Sequence, residues 1–364
     1  MNISPTLSWY LARQFLAGIV FVLVVLMALV FLFDLIEHLR RASGHEAATL
    51  GVVLQLSLLQ LPELGQKVVP FAALFGALHT FTRLTRSHEL IVARAAGVSV
   101  WQFLMPPVLI AFLIGVFMVT VFNPFAAVMI SRYEQLEGHF LEGRTSLLAV
   151  SSTGLWLRQG DARSQSVIHA RHVSAAGTDL RDVIVFLYGD TDEFTGRIDA
   201  KAAHLRRGYW ELDDALLTRP QQPSEHHETY KLPTTLTLEQ IQESFASPET
   251  LSFWALPRFI RTLEQAGFSA QRHRLYWNAI MATPLLLCAM VLLAATFSLR
   301  LTRRGHTGLL LAAGVCTAFV LYFISDVVYA LGVAGNLPVA LAAWTPAGVS
   351  TLLGVASLLH LEDG

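Results

Sequence analysis

Apolar and polar positions segregate along this chain into long uninterrupted runs toward both ends and short alternating ones in the middle. Residues 15–33 carry no charge over about 19 positions, enough to cross a hydrocarbon core roughly 30 Å thick, and predict a first membrane helix. The run exceeds the apolar core of about 7 to 15 residues of a cleaved signal peptide, and no small-residue cleavage site follows it. A second span ends at 68–81, although apolar character begins at Leu50 and is broken by Pro62, Glu63, Gln66 and Lys67. A helix of that length must tilt or protrude. Residues 100–130 are similarly over-long, with kinks expected at Pro106-Pro107 and Asn123-Pro124. Runs at 276–299, 309–331 and 339–361 complete six spans.

Between 147 and 236 the period shortens to two. Residues 155–158, 167–170, 183–188, 197–201, 209–212 and 229–232 each read as a strand. Gly160-Asp161, Gly189-Asp190 and Arg207-Gly208 punctuate them as turns, at a spacing typical of a sandwich or jelly roll. Apolar residues Phe253, Leu256, Phe259, Ile260 and Leu263 then recur at helical spacing, which fits an amphipathic helix leading back to the membrane. The expected architecture is an α-helical membrane protein of six transmembrane helices with an all-β, jelly-roll-like domain inserted between the third and fourth. Its expected divisions are 1–138 for the first three spans, 139–250 for the β domain, and 251–364 for the connecting helix and last three spans.

Composition agrees: 54% of the 364 residues are apolar and 15% charged, which is the membrane class. The net charge of -1 averages over a strong segregation and says nothing of partners. Both cysteines, Cys288 and Cys316, fall in apolar runs, so neither can belong to a disulfide framework of the polar block. Basic residues Arg13, Arg83, Arg86, Arg94, Arg300, Arg303 and Arg304 gather on one side of the spans, which places both termini in the cytoplasm and the β domain outside. Arg258, Arg261, Arg272 and Arg274 crowd the other side, but long translocated segments largely escape the charge rule.

Between the second and third spans lies RSHELIVARAAG, residues 86–97. Ser87 is an expected helix cap, Glu89 a first-turn acid favoured by the dipole, and Gly97 a left-handed terminator, with Ile91, Ala95 and Val98 on one face. A surface helix on the cytoplasmic side is where a separate motor subunit could push. Chemistry of the chain's own is missing from its motifs. His88-Glu89 lacks the second zinc-protease histidine, a position taken by Val92, and neither a Gly-x-Ser-x-Gly elbow nor a phosphate-binding Gly-x-x-x-x-Gly-Lys loop occurs. No enzyme activity, metal or cofactor is expected. His226 and His227 are adjacent on a strand and point to opposite faces, which suits solvated side chains better than a ligand set.

Three spans, an outer β domain, three more spans and the SHELIVARAAGV helix together resemble the permease subunits of the lipopolysaccharide export ABC transporter, the LptF/LptG family. LptG-like matches lie at FDLIEHLRR (33–41), TGLWL (153–157) and YWN (276–278). The resemblance implies lipopolysaccharide as substrate, an LptF-like partner permease, a cytoplasmic LptB-like ATPase dimer and a periplasmic LptA/LptC-like bridge that receives the lipid, all at the bacterial inner membrane. It implies contact with the ATPase through Glu89, Arg86, Arg94, Ser87 and His88. Arg40 and Arg41, at headgroup height, and Arg132 near the outer end of the third span would pair with lipid A phosphates; Asp34 departs from the basic residue often present in LptG-like chains. Phe319 and Tyr322 would line the acyl-chain cavity. Outside the resemblance, interfacial arginines are ordinary membrane anchors and the two aromatics ordinary packing. Glu63 and Lys67, four apart, suit a structural ion pair, and Asp326 should face the bundle interior or water. A non-transporting scaffold or signalling protein and a lipoprotein-release-type permease are the rival readings.

Overall fold

The computed structural model of the chain describes residues 5–42, 49–137, 140, 147–151, 154–160, 165–173, 179–189, 193–234, 247–265, 269–298 and 307–363. The expected turn residues Asp161 and Asp190, the basic group Arg300, Arg303 and Arg304, and Thr153 of the second matching motif lie outside them. Among the described residues, six helices are long and apolar enough to cross a membrane. They are built from α1 (Pro5–Ala42), α2 (Leu50–Arg86), the continuous pair α4 (Val100–Phe117) and α5 (Asn123–Glu137), α7 (Gln271–Ser298), α8 (Thr307–Val333) and α9 (Val339–Asp363). The short α3 (Glu89–Ala95) separates α2 from α4, and α6 (Leu256–Gln265) precedes α7.

The chain divides into two compact units. The span unit comprises Met1–Leu141, Ser252–Trp254 and Arg274–Gly364; the sheet unit comprises Glu142–Leu251 and Ala255–His273. In the span unit, lipid offers no hydrophobic drive for helix association, so close packing at small residues must supply it. A Cβ on Gly18 would meet Thr80 Oγ1 at 2.3 Å, one on Gly76 would meet the Ile19 backbone at 2.7 Å, and one on Gly115 would meet Pro284 Cα at 2.4 Å. These glycines bring α1 against α2 and α4 against α7 at backbone distance. Around them Phe15, Leu74, Phe81, Phe103, Leu104, Leu287 and Leu293 form one buried cluster.

The third span runs through Pro106-Pro107 as α-helix, but just before Asn123-Pro124 it widens into a π-helical turn, Met118–Phe122. There Asn123 N–H reaches back five residues to the Met118 carbonyl. Proline at 124 has no N–H to give the carbonyl four residues earlier, so the α ladder cannot close there.

Seven strands of the sheet unit form one antiparallel meander in which chain neighbours are sheet neighbours: β1 (Leu147–Ser151), β2 (Gly154–Gly160), β3 (Gln165–Val173), β4 (Asp179–Tyr188), β5 (Phe194–Arg206), β6 (Tyr209–Thr218) and β7 (Glu225–Pro233). The six strands expected from alternation correspond to β2–β7, and β1 is an addition. Alternate residues such as Leu157, Ile168, Val185, Ile198, Trp210 and Leu217 are buried. The inward set slips by one residue in three adjacent strands: Leu180 is followed inward by Val183, Ala200 by Ala203, and Leu212 by Ala215. Asp182 and Asp214 take left-handed φ of 53° and 54° at this line. A row of bulges of this kind bends a sheet without exposing its apolar face. Amphipathic α6, beside β1, buries Leu256, Ile260 and Leu263, as its spacing predicts.

Candidate functional site

Three places on the span unit collect the residues singled out by sequence. The first is α3. Ser87 does not cap it: Ser87 closes α2, and its Oγ donates to Glu89 Oε1 at 2.8 Å. The residue before the helix is His88, in a left-handed conformation with φ of 61° and no side-chain cap. Gly97 terminates the helix with φ of 85°; its N–H bonds the Arg94 carbonyl and that of Val98 the Ala93 carbonyl, a Schellman closure. Of the face expected from Ile91, Ala95 and Val98, Ala95 is exposed and Val98 half-buried, and the Ile91 side chain lies outside the described residues. Leu90 is an anchor: 7% exposed, it joins the same apolar cluster as Phe103 and Phe81. Its neighbour Val92 is 67% exposed, and Arg86, Ser87, His88, Glu89 and Arg94 surround it on the surface. The helix is therefore a charged, outward-facing knob anchored to the bundle through Leu90.

The second place is the opposite end of α1, some 30 residues and about 45 Å along the helix. Arg40 Nε donates to Glu37 Oε2 at 2.9 Å and its Nη2 to Oε1 at 2.7 Å, while Arg41 reaches Glu37 at 2.9 Å and Glu137 of α5 at 3.3 Å. Both guanidinium groups thus have carboxylate partners already. Arg132 is exposed and makes no ion pair among the described residues. Beneath them, buried His38 joins three helices: its Nε2 lies 3.1 Å from the Tyr133 hydroxyl, and its Nδ1 lies 3.3 Å from Ser57 Oγ and 3.2 Å from the Asp34 carboxylate. Asp34, noted in the sequence as a departure, lies beside His38, whose Nδ1 also meets the Asp34 main-chain carbonyl at 2.9 Å.

The third place is a cavity of about 300 Å³ between α2, α7, α8 and α9. Its wall is mostly apolar, with Phe71, Leu286, Met290 and Pro346 among its residues, but Gln66, Lys67, Ser325, Asp326 and Tyr322 also line it. Lys67 Nζ pairs with Glu63 at 2.7 Å, as the i,i+4 spacing predicts, and Glu63 is the buried member. Tyr322 reaches the cavity directly; Phe319 does not line it, and instead packs on the lining ring of Phe71, with centroids 6.0 Å apart. Asp326 faces this space. The cavity gathers Lys67 and Asp326, which sequence reasoning left without a common site, because helix adjacency across more than 200 residues carries no local signal. Among the described residues no cluster of three metal-ligating side chains occurs.

Comparison with known proteins is consistent along the whole chain. Residues 9–360 match the family described as lipopolysaccharide export system permease LptF/LptG. The lipopolysaccharide export system permease protein LptG of Escherichia coli (strain K12) is 24% identical over 370 residues, covering 97% of this chain and 98% of that protein. The protein of the same name from Haemophilus influenzae is 23% identical over 359 residues, covering 94% of each.

Proposed function

Because the chain belongs to the LptF/LptG family of lipopolysaccharide export permeases, we propose that it is an LptG-like subunit that draws lipopolysaccharide from the bacterial inner membrane under the drive of a separate ATPase. Both termini and α3 lie in the cytoplasm and the sheet unit in the periplasm. An LptF-like permease completes the membrane part, two LptB-like ATPase subunits act on it, and an LptA/LptC-like bridge takes the lipid from the sheet unit. The observation that carries this reading is the build of α3: Leu90 sits in the bundle core while Glu89, Arg86, Arg94 and Val92 face outward. A push on the exposed face is delivered straight to packed spans. Arg40, Arg41 and Arg132 receive lipid phosphates, with the first two exchanging Glu37 and Glu137 for the ligand; Tyr322, and Phe319 behind Phe71, meet acyl chains.

Cysteine at Glu89 should crosslink into the ATPase, and Glu89→Ala should reduce lipopolysaccharide release at least several-fold. No crosslink together with full transport removes the handle. Photocrosslinkers at Arg40, Phe319 and Tyr322 should capture lipopolysaccharide in an ATP-dependent way, which a non-transporting scaffold would never do.

A further inference from the structure

The tripeptide Ser252–Trp254 belongs to the span unit, although the chain on both sides of it belongs to the sheet unit. Phe253 and Trp254 both hydrogen-bond to the third span. Asn123, 0% exposed, accepts the Phe253 N–H on Oδ1 at 2.7 Å and donates from Nδ2 to Gln66 Oε1 at 3.1 Å. Gln66 lines the cavity. Trp254 Nε1 donates to the Thr120 carbonyl at 3.2 Å. That carbonyl is the one Pro124 cannot serve, since it lies four residues back and proline has no N–H. The Phe253 ring also stacks on Trp277 of α7, with centroids 6.1 Å apart and planes 21° apart. The side-chain donor and the break in the span thus fit each other, and α7, too, is a wall of the cavity.

We propose that Ser252–Trp254 is a mechanical joint, in which Asn123 and Trp254 act as positioning residues that carry changes at the cavity and at the π-helical turn into the connecting segment that continues into the sheet unit. A filled cavity that displaces Gln66 pulls on Asn123 and so on the Phe253 backbone. Straightening of the third span moves the Thr120 carbonyl and takes Trp254 with it. Serving the Thr120 carbonyl would need only a donor; a joint needs that donor to come from the connecting segment. The distinction gives the test. The proposal rests on the export reading for its transport readout alone.

The test uses the full complex in proteoliposomes, with ATPase, partner permease and bridge. Trp254→Phe removes the N–H and keeps an aromatic ring; Asn123→Leu, outside the cavity lining, cuts the arm that links Gln66 to the Phe253 backbone. Both should leave assembly and ATP hydrolysis near wild type while lowering lipopolysaccharide passed per ATP by about threefold or more. Adding Pro124→Ala to Trp254→Phe supplies a backbone N–H at position 124 for the Thr120 carbonyl. It should recover thermal stability but not the transport ratio. Recovery of the ratio by Pro124→Ala, or an unchanged ratio in both single variants, would overturn the joint and leave Trp254 a local filler. Hydrogen exchange of β5–β7 gives an independent reading: wild type should change its protection with ATP, and Trp254→Phe should not. If wild type hydrolyses ATP but passes no lipopolysaccharide, the export reading fails, and exchange alone decides the joint: an ATP response equal in the two proteins, or absent from wild type, refutes it.

Discussion

Two glycines with opposite constraints separate what a residue does through its backbone from what it does through its neighbours. Gly97 needs its left-handed φ of 85°, and a Cβ there would touch nothing within 4 Å. Gly97→Ala should therefore cost only the conformational strain, about 1 kcal/mol, and release the end of α3 rather than the bundle. Gly115 has no special φ, but a Cβ there would lie 2.4 Å from Pro284 Cα, and backbone cannot yield as a side-chain tip can. Gly115→Ala should cost about 1–3 kcal/mol by forcing α4 from α7. In detergent, the second variant should unfold at clearly lower temperature, and the first should keep its unfolding temperature while losing ATP-dependent transport. Equal thermal losses would contradict this division. Gly97 was legible in sequence because helix endings are local; Gly115 was one more small residue in an apolar run, since its partner lies 169 positions away.

At the scale of elements, hydropathy located each membrane crossing but not its helix. The charge-free run at 15–33 is the middle of a helix from Pro5 to Ala42, because backbone hydrogen bonding continues into polar flanks where side chains meet headgroups and water. In the sheet unit alternation gave six strands; β1, reading LLAVS, has too little alternation to stand out. The bulge row was invisible, since two aspartates at φ near 55° look like ordinary polar positions. Those bulges have an electrostatic consequence. Asp214 pairs with Lys201 of β5 and with His226 Nε2 of β7, and these hydrogen bonds, Lys201 first, hold its carboxyl below the ordinary aspartate value, while Asp214 holds the Lys201 ammonium above the ordinary lysine value. A depressed carboxylate stabilises the fold above its unfolded pKa, and that contribution disappears as pH falls through the folded one. A raised ammonium does the converse, and its contribution is lost as pH rises through the elevated value. Hydrogen exchange at β5–β7 should thus quicken at both extremes, and Asp214→Asn should flatten the dependence at both. All these groups are well exposed, so the effect should also shrink in high salt.

Coverage of the spans is uneven across the whole molecule, and the imbalance gives the proposed partner permease a side to be tested. Of the most apolar stretch in each span, 67% is buried in α7 but only 17% in α1 and 17% in α8. Along α1 the buried residues are Leu11, Phe15, Gly18 and Ile19 at one end and His38 and Ala42 at the other, while its middle is covered on one side only, with Leu23 against the bundle core and Met27 beside Gly65 of α2. Phe21, Val24, Val25, Leu29 and Leu32 stand exposed there, as do Val320, Phe323 and Ile324 on α8. Lipid satisfies such surfaces thermodynamically, so exposure alone does not demand a protein. What favours one is that Tyr322 and Asp326, which line the cavity, lie on the same sparsely covered helix. A transport cavity bounded by fluid lipid on that side would leak its contents. An LptF-like permease across α1 and α8 would close it. Single cysteines at Val24 and Phe323 should crosslink to the partner permease in the assembled complex, whereas cysteines at Leu287 and Ala294, both fully buried in the bundle, should not. Crosslinks from neither exposed site in an active complex would show that these helices face bilayer, and the cavity would then have to be closed by a movement of α1 within this chain.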